Sequence, residues 1–340
     1  MRLSIENLSC SYQSQTVVKG FNLLIGEGAD DGEIICLFGK SGCGKSTVLK
    51  AVAGLIETDS GRIQVNGSMV NDQQHFVTPE KRRVGMIFQD YALFPHLTVL
   101  ENVAFSLPKF QWTEAEELLQ LVNLADKSGS YPHQLSGGQQ QRVAIARALA
   151  AKPEVLLMDE PFSNIDHQIR YDLIREIRQI LKQKKISTIF VTHNKAEAFA
   201  FADKIAVMRD GAVAQCDAVE TVYLQPADSE IGRLLGRLNV VPAKALDAMV
   251  QGGVLLDGEQ ALAQAAGRDF LVRPQFLGVE IVSGSSDFPR VEEVIVAGDN
   301  CYVKVVVEGV ELLIEKGAVQ RIGVGDFVRV RLLGGSYCYA

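Results

Sequence analysis

The sequence predicts an α/β core with a helical insert, followed by a small all-β domain. Three observations carry this prediction. Short apolar runs alternate with helix-like segments over residues 1–235, as buried parallel strands and their crossover helices do. Helical patterning dominates between about 91 and 155. From about Asn239 helical periodicity mostly stops, and glycines punctuate strand-like runs. At 340 residues the chain is too long for one ordinary core and suits two domains, 1–236 and 239–340.

The elements follow in order. Glu33–Phe38 (EIICLF) reads as a buried strand that ends in a glycine loop, and Thr47–Leu55 as a helix. Val155–Asp159 (VLLMD) and Thr188–Thr192 (TIFVT) read as two further buried strands. Ile205–Arg209 and Ala212–Cys216 flank Asp210-Gly211, a hairpin signature. In the second domain Cys301–Val307, Glu311–Glu315 and Phe327–Leu332 are strand-like and predict a small β-barrel.

Composition excludes several classes. A net charge of −7 argues against a nucleic-acid binder that works by neutralising phosphates. No run of about 18 apolar residues predicts a membrane span. Met1-Arg2-Leu3-Ser4-Ile5-Glu6 has no apolar stretch, so no secretory signal is expected. Cys10, Cys36, Cys43, Cys216, Cys301 and Cys338 form no C-x-x-C pair, which favours reduced thiols over a disulfide frame or zinc site. The histidines show no metal spacing either.

Gly39-Lys40-Ser41-Gly42-Cys43-Gly44-Lys45-Ser46-Thr47 fits G-x-x-x-x-G-K-[ST] between a predicted strand and a predicted helix. Gly39, Gly42 and Gly44 let the backbone curl, so that N–H groups around Ser41 and Cys43 point inward at an anion. The helix N-terminus adds partial positive charge. Lys45 then reaches the β- and γ-phosphates of a nucleotide, Ser46 offers a hydroxyl to Mg²⁺, and Thr47 bonds the α-phosphate. The same terminus and Lys45 favour a thiolate at Cys43. The plainer reading of Cys43 is a small residue filling a tight turn. Asp159, at the end of a strand, suits Mg²⁺ held through water. Glu160 beside it suits a general base for an attacking water. An acid pair placed at a helix start by its dipole is the plainer alternative.

These motifs specify a phosphate-loop NTPase. Leu135-Ser136-Gly137-Gly138-Gln139 narrows the class, because it resembles the signature of ATP-binding cassette (ABC) ATPases. Gln89 in Ile87-Phe88-Gln89 resembles that family's Q-loop. Ser163-Asn164-Ile165-Asp166 resembles its D-loop, and His193 in Val191-Thr192-His193 its switch histidine. Tyr12 stands where the family stacks an aromatic on adenine. Alone, Tyr12, Gln89 or His193 would read as packing or structural residues, as His75, His96, His133 and His167 still do. The resemblance spans residues 1–235 and implies ATP hydrolysis with Mg²⁺. It implies that Gln89 contacts Mg²⁺ or the lytic water, and His193 the γ-phosphate. It further implies a head-to-tail pair of cassettes. Ser136, Gly137, Gly138 and Gln139 of one copy then close on the γ-phosphate held by the other. Ser136 is a suitable N-cap, and the helix start a suitable anion site.

Three departures from the family pattern stand out. Asn194 follows the histidine where such members usually carry Asp. Ala29-Asp30-Asp31 lengthens the loop before Gly32-Glu33. The stretch from Asn102 to Tyr131 is short.

One cassette without a membrane span implies separate transmembrane permease subunits. Asp90–Asn102 (DYALFPHLTVLEN) reads as a partner-facing surface. Leu271-Val272-Arg273-Pro274 resembles a strand of the oligosaccharide-binding-like (TOBE-type) domain in importer cassettes for maltose, polyamines, sulfate and ferric iron. Tyr131–Leu135, Leu224–Asp228 and the short second domain are most similar to the ferric-iron subgroup. The resemblance thus implies an ATP-hydrolysing subunit of a ferric-iron importer, peripheral on the cytoplasmic face of the inner membrane. It implies an indirect partner in a periplasmic or extracellular solute-binding protein, and no nucleic acid. Polyamine, sulfate/molybdate and sugar import are the alternatives. A soluble non-transport ABC ATPase is a remote one, because those have two fused cassettes or a coiled-coil insert.

Overall fold

The computed structural model describes residues 1–12, 15–26, 32–252, 254–256, 267–282, 288–297, 300–316, 322–333 and 337–339. Two antiparallel strands lead, β1 (Leu3–Tyr12) and β2 (Gln15–Ile25). β3 (Ile34–Phe38) follows, with all five side chains buried. Helix α1 (Lys45–Ala53) starts two residues ahead of the expected Thr47, with Gly44 as its cap. β4 (Ser60–Val65) and β5 (Ser68–Asn71) complete a four-stranded sheet in the order β2-β1-β4-β5. No sequence pattern pointed to this sheet. Register shifts between Ile5 and Leu8, Leu8 and Cys10, and Cys10 and Ser11 explain why, since bulges break the period of two.

β6 (Val84–Ile87) opens the central run. The predicted helical stretch then contains α2 (Val99–Ala104), α3 (Trp112–Leu121) and α4 (Gly137–Ala150), joined by 3-10 turns. Thr98 and Glu101 form a capping box that starts α2. β7 (Val155–Asp159), α5 (His167–Gln183), β8 (Ser187–Val191), α6 (Lys195–Phe201), β9 (Lys204–Arg209) and β10 (Ala212–Ala218) complete this part. The six-stranded sheet runs β10-β9-β3-β8-β7-β6, and β10 alone pairs antiparallel. β3 and β8 bury every residue, as strands covered on both faces must. Leu3, Ile5 and Phe21 of the first sheet share one core with Ile35, Leu37, Val48 and Ile189.

The chain divides into two compact units, Met1–Val219 and Glu220–Ala340. α7 (Val219–Leu224) starts at the division, and α8 (Ser229–Leu235) follows. The second unit continues with β11 (Asn239–Val241), α9 (Ala243–Gln251), β12 (Leu255–Leu256), β13 (Phe270–Val272), β14 (Leu277–Ile281), β15 (Val291–Ala297), β16 (Asn300–Val307), β17 (Val310–Lys316), β18 (Val328–Leu332) and β19 (Tyr337–Tyr339). Among the described residues these strands form three three-stranded sheets around Leu246, Val303, Val305, Ile314 and Val330. α9 is an unexpected helix in this β-rich part, and it buries Leu246 and Met249 at helical spacing. Arg273 is 2% exposed and donates to the carbonyls of Tyr223, Gly232 and Arg237. Its guanidinium also lies 4.2 Å over the Tyr223 ring, so Arg273 ties α7 and α8 to β13. Among the described residues, no helix is long and apolar enough to cross a membrane.

Candidate active site

The loop between β3 and α1 has the geometry its glycines require. Gly42 and Gly44 take φ of 82° and 102°, where a side chain is strained. A Cβ on Gly39 would stand 2.5 Å from the Met208 carbonyl oxygen. Lys45 is 8% exposed and spans the loop, its Nζ donating to the carbonyls of Gly39 at 2.8 Å and Lys40 at 2.9 Å. Nζ also lies 3.8 Å from Cys43 Sγ. Ser46 Oγ donates to Asp159 Oδ1 at 3.0 Å, which joins the loop to the end of β7.

β8 lies between β3 and β7 in the sheet, so the segments after all three strands meet at one edge. A cleft of about 270 Å³ opens there. Ser41, Gly42 and the start of α1 line one side, and Glu160, Val191 and His193 the other. Glu160 takes φ of 46°, a left-handed conformation uncommon for a residue with a side chain. Its N–H donates to the Val191 carbonyl at 3.0 Å and holds the turn in place. Its carboxylate gathers two neighbours. Gln89 Nε2 donates to Oε2 at 3.3 Å, and His193 Nδ1 stands 3.1 Å from Oε1.

The elbow at 136–139 lies apart from this cleft. Ser136 caps α4, accepting from the Gln139 N–H, while the Gln139 side chain accepts from the Ser136 N–H. A Cβ on Gly137 would sit 2.9 Å from the Asn164 carbonyl oxygen, so only glycine allows that approach. Asn164 also donates through Nδ2 to the Gln89 carbonyl at 3.0 Å. Tyr12, at the end of β1, is 70% exposed and does not line the cleft either. The structure therefore brings together the loop 39–47, Asp159, Glu160, Gln89 and His193. It leaves Ser136, Gly137, Gly138, Gln139 and Tyr12 outside that group within a single chain.

Sequence reasoning missed the residues behind His193. Glu197 is buried and accepts from Thr192 Oγ1 at 2.6 Å and Asn194 Nδ2 at 3.2 Å. Arg170 Nη1 lies 3.3 Å from its Oε1. The signal was available, since Asn194-Lys195-Ala196-Glu197 has the spacing of a helix cap with an acid three residues on. This network also gives Asn194 a physical reason. Its Oδ1 caps α6 by accepting from the Ala196 N–H, while its amide donates to Glu197. A carboxylate at 194 could cap but not donate. The lengthened loop at Ala29-Asp30-Asp31 and the side chain of His167 lie outside the described residues.

Comparison with known proteins gives the site its setting. The ABC transporter family model matches residues 27–163. The spermidine/putrescine import ATP-binding protein PotA of Aggregatibacter actinomycetemcomitans is 41% identical over 263 residues, 76% of this chain and 68% of that protein. The sulfate/thiosulfate import ATP-binding protein CysA of Synechocystis is 42% identical over 251 residues, 72% of this chain and 68% of that one. The Fe(3+) ions import ATP-binding protein FbpC 2 of Haemophilus influenzae is 33% identical over 342 residues, covering 97% of this chain and 95% of its own. Among solved structures, a dimeric ATP-binding cassette in a post-hydrolysis state with ADP and phosphate superimposes with a TM-score of 0.54. It is 29% identical, covering 64% of this chain and 98% of the other. The chain belongs to the ABC transporter family, among its ATP-hydrolysing, ATP-binding subunits.

Proposed function

We propose that two copies of this chain hydrolyse ATP at shared sites and so drive import of ferric iron through separate membrane subunits. One observation carries the cargo. The relative named for Fe(3+) import matches 97% of this chain, through both units, whereas the one named for spermidine/putrescine matches 76%. Polyamine or sulfate import is the second reading, favoured by the higher identities of 41% and 42% within the matched parts. The working place is the cytoplasmic face of the membrane, with a solute-binding protein delivering cargo from the other side. Residues 1–236 carry the nucleotide chemistry, and 239–340 form an accessory domain.

The chemistry follows from the groups in the cleft. The loop 39–47 wraps the phosphates, with Lys45 balancing the β- and γ-phosphate charge. Tyr12 stacks on the adenine. The Ser46 hydroxyl and the Asp159 carboxylate, 3.0 Å apart, are hard oxygen donors of the kind Mg²⁺ prefers, so the residues fit that ion. With Gln89 they would hold it, and it would supply charge neutralisation on the phosphates. Glu160 accepts a proton from water as the water oxygen bonds the γ-phosphorus. The bridging P–O bond breaks, and ADP leaves with the electron pair. Gln89 and His193 hold the Glu160 carboxylate from both sides, and His193 faces the γ-phosphate. Ser136, Gly137, Gly138 and Gln139 of the second copy present a helix N-terminus to that same phosphate. Phe94 and Phe105, with ring centroids 4.4 Å apart, mark the face offered to the membrane subunit.

Uptake assays test the cargo. Cells lacking the gene are complemented with the wild type or with Lys45→Ala, and uptake of labelled ferric iron, spermidine and sulfate is measured. Restored ferric uptake by the wild type alone is expected. Restored spermidine or sulfate uptake instead selects the second reading, and restoration of none of the three removes both.

A further inference from the structure

The network behind His193 extends to a second loop. Arg170 sits in the first turn of α5, and its Nη2 donates to the Ile165 carbonyl at 2.7 Å. Its Nη1 lies 3.3 Å from Glu197 Oε1. Glu197, on α6, takes the Thr192 hydroxyl on one oxygen and the Asn194 amide on the other. The Asn194 N–H donates back to Thr192 Oγ1 at 3.0 Å. His193 is therefore held on both flanks by one buried carboxylate. His193 itself has a side chain 67% exposed, and its one hydrogen-bond partner among the described residues is Glu160. A ring so exposed draws little restraint from packing. Its position depends on the backbone at Thr192 and Asn194, and that backbone depends on Glu197.

We propose that Glu197 and Arg170 are positioning residues for ATP hydrolysis: the pair fixes His193 over Glu160 and ties it to the loop at 163–166. A carboxylate suits this place because it accepts on two oxygens at once, and an amide offers only one acceptor. The guanidinium suits the other place because its planar fork bonds Glu197 and the Ile165 carbonyl together. A movement of the loop at 163–166 thus reaches His193 through two side chains. This proposal rests on the role given to His193 under the proposed function.

Two readouts test it on the full chain. The first is ATP hydrolysis. Glu197→Gln is expected to lower kcat about five- to tenfold while KM for ATP changes by less than about twofold, as expected for a group acting only through another. The second is the imidazole proton–carbon spectrum, with His193 assigned by its loss in His193→Gln. In Glu197→Gln the His193 resonance is expected to move while those of the other four histidines stay in place. Arg170→Lys keeps the charge but not the fork, and is expected to shift His193 in the same way but less. It decides the matter should Glu197→Gln fail to fold. An unmoved His193 resonance in the folded variants overturns the proposal, and so does an equal shift of all five. If His193→Gln hydrolyses ATP at the wild-type rate, the catalytic role of His193 fails. The resonances then still decide whether the pair positions it.

Discussion

Glu160 takes bonds from Gln89 and His193 while its own backbone is held at φ 46°. Glu160→Gln preserves the shape but cannot accept a proton, so hydrolysis should fall by ~10²–10⁴ with ATP binding retained. ATP should then hold two copies together, seen by size-exclusion with and without nucleotide. Turnover near the wild-type rate would remove the base assignment. Cys43 lies in the phosphate loop 3.8 Å from Lys45 Nζ, so a group added to its sulfur would sit beside bound phosphates. N-ethylmaleimide should inactivate the ATPase, MgATP should protect it, and Cys43→Ser should be active and resistant. Equal rates of loss with and without MgATP would place the reactive thiol elsewhere. At this scale the sequence is most legible where chemistry sits in consecutive residues, as in 39–47 and 159–160. Glu197 could have been read from its spacing to the Asn194 cap, but its pairing with Arg170 could not, because the two stand on separate helices.

Helix α4 opens on a cap made wholly from its own Ser136 and Gln139. Ser136→Arg removes that cap, costing about 0.5–2 kcal/mol, and puts a bulky cation where the second copy's phosphate would lie. Nucleotide binding should survive and hydrolysis should not. Mixed with Lys45→Ala chains, it should regain activity through one intact shared site. Mixtures no more active than either variant alone count against sharing. Asp203, just before β9, binds elements together differently. It accepts from the Ile34 N–H, Arg178 and Lys182. Burial pushes its carboxyl up, but Lys182, the Ile34 amide and Arg178 outweigh this, and the net direction is down from 3.8. A depressed folded value means stability that is present above the unfolded value and lost as pH falls through the folded one. Asp203→Asn should thus cost about 1–3 kcal/mol at neutral pH. The gap in Tm to the wild type should close below about pH 4. Fully buried strands such as β3 were read from their apolar runs. β1 and β2 were not, because they are half-covered and their bulges confine the alternation to short stretches such as Phe21, Leu23 and Ile25.

The whole molecule has two units, and every nucleotide-contacting residue proposed here lies in the first. A chain of residues 1–238 should bind ATP as tightly as the full chain. It should also melt earlier, since the carbonyls of Tyr223, Gly232 and Arg237 lose Arg273. A folded but non-binding fragment would show that the second unit is needed for the site. The sequence changes texture near Asn239, and the compact second unit begins earlier, at Glu220. The helices between were read with the core because they continue its helical pattern, and only long-range bonds such as those of Arg273 join them to β13. The strand order has a further consequence, one of timing. β3, which leads into the phosphate loop, pairs among the described residues with β8 and β9, both made much later in the chain. At about 5–20 residues per second a ribosome leaves this strand of buried side chains without its neighbours for on the order of ten seconds. An unpaired apolar strand is the form that invites wrong pairing, so a nascent chain is most exposed to aggregation in that interval. The same order keeps Glu160 and His193 away from the loop until β8 has paired between β3 and β7.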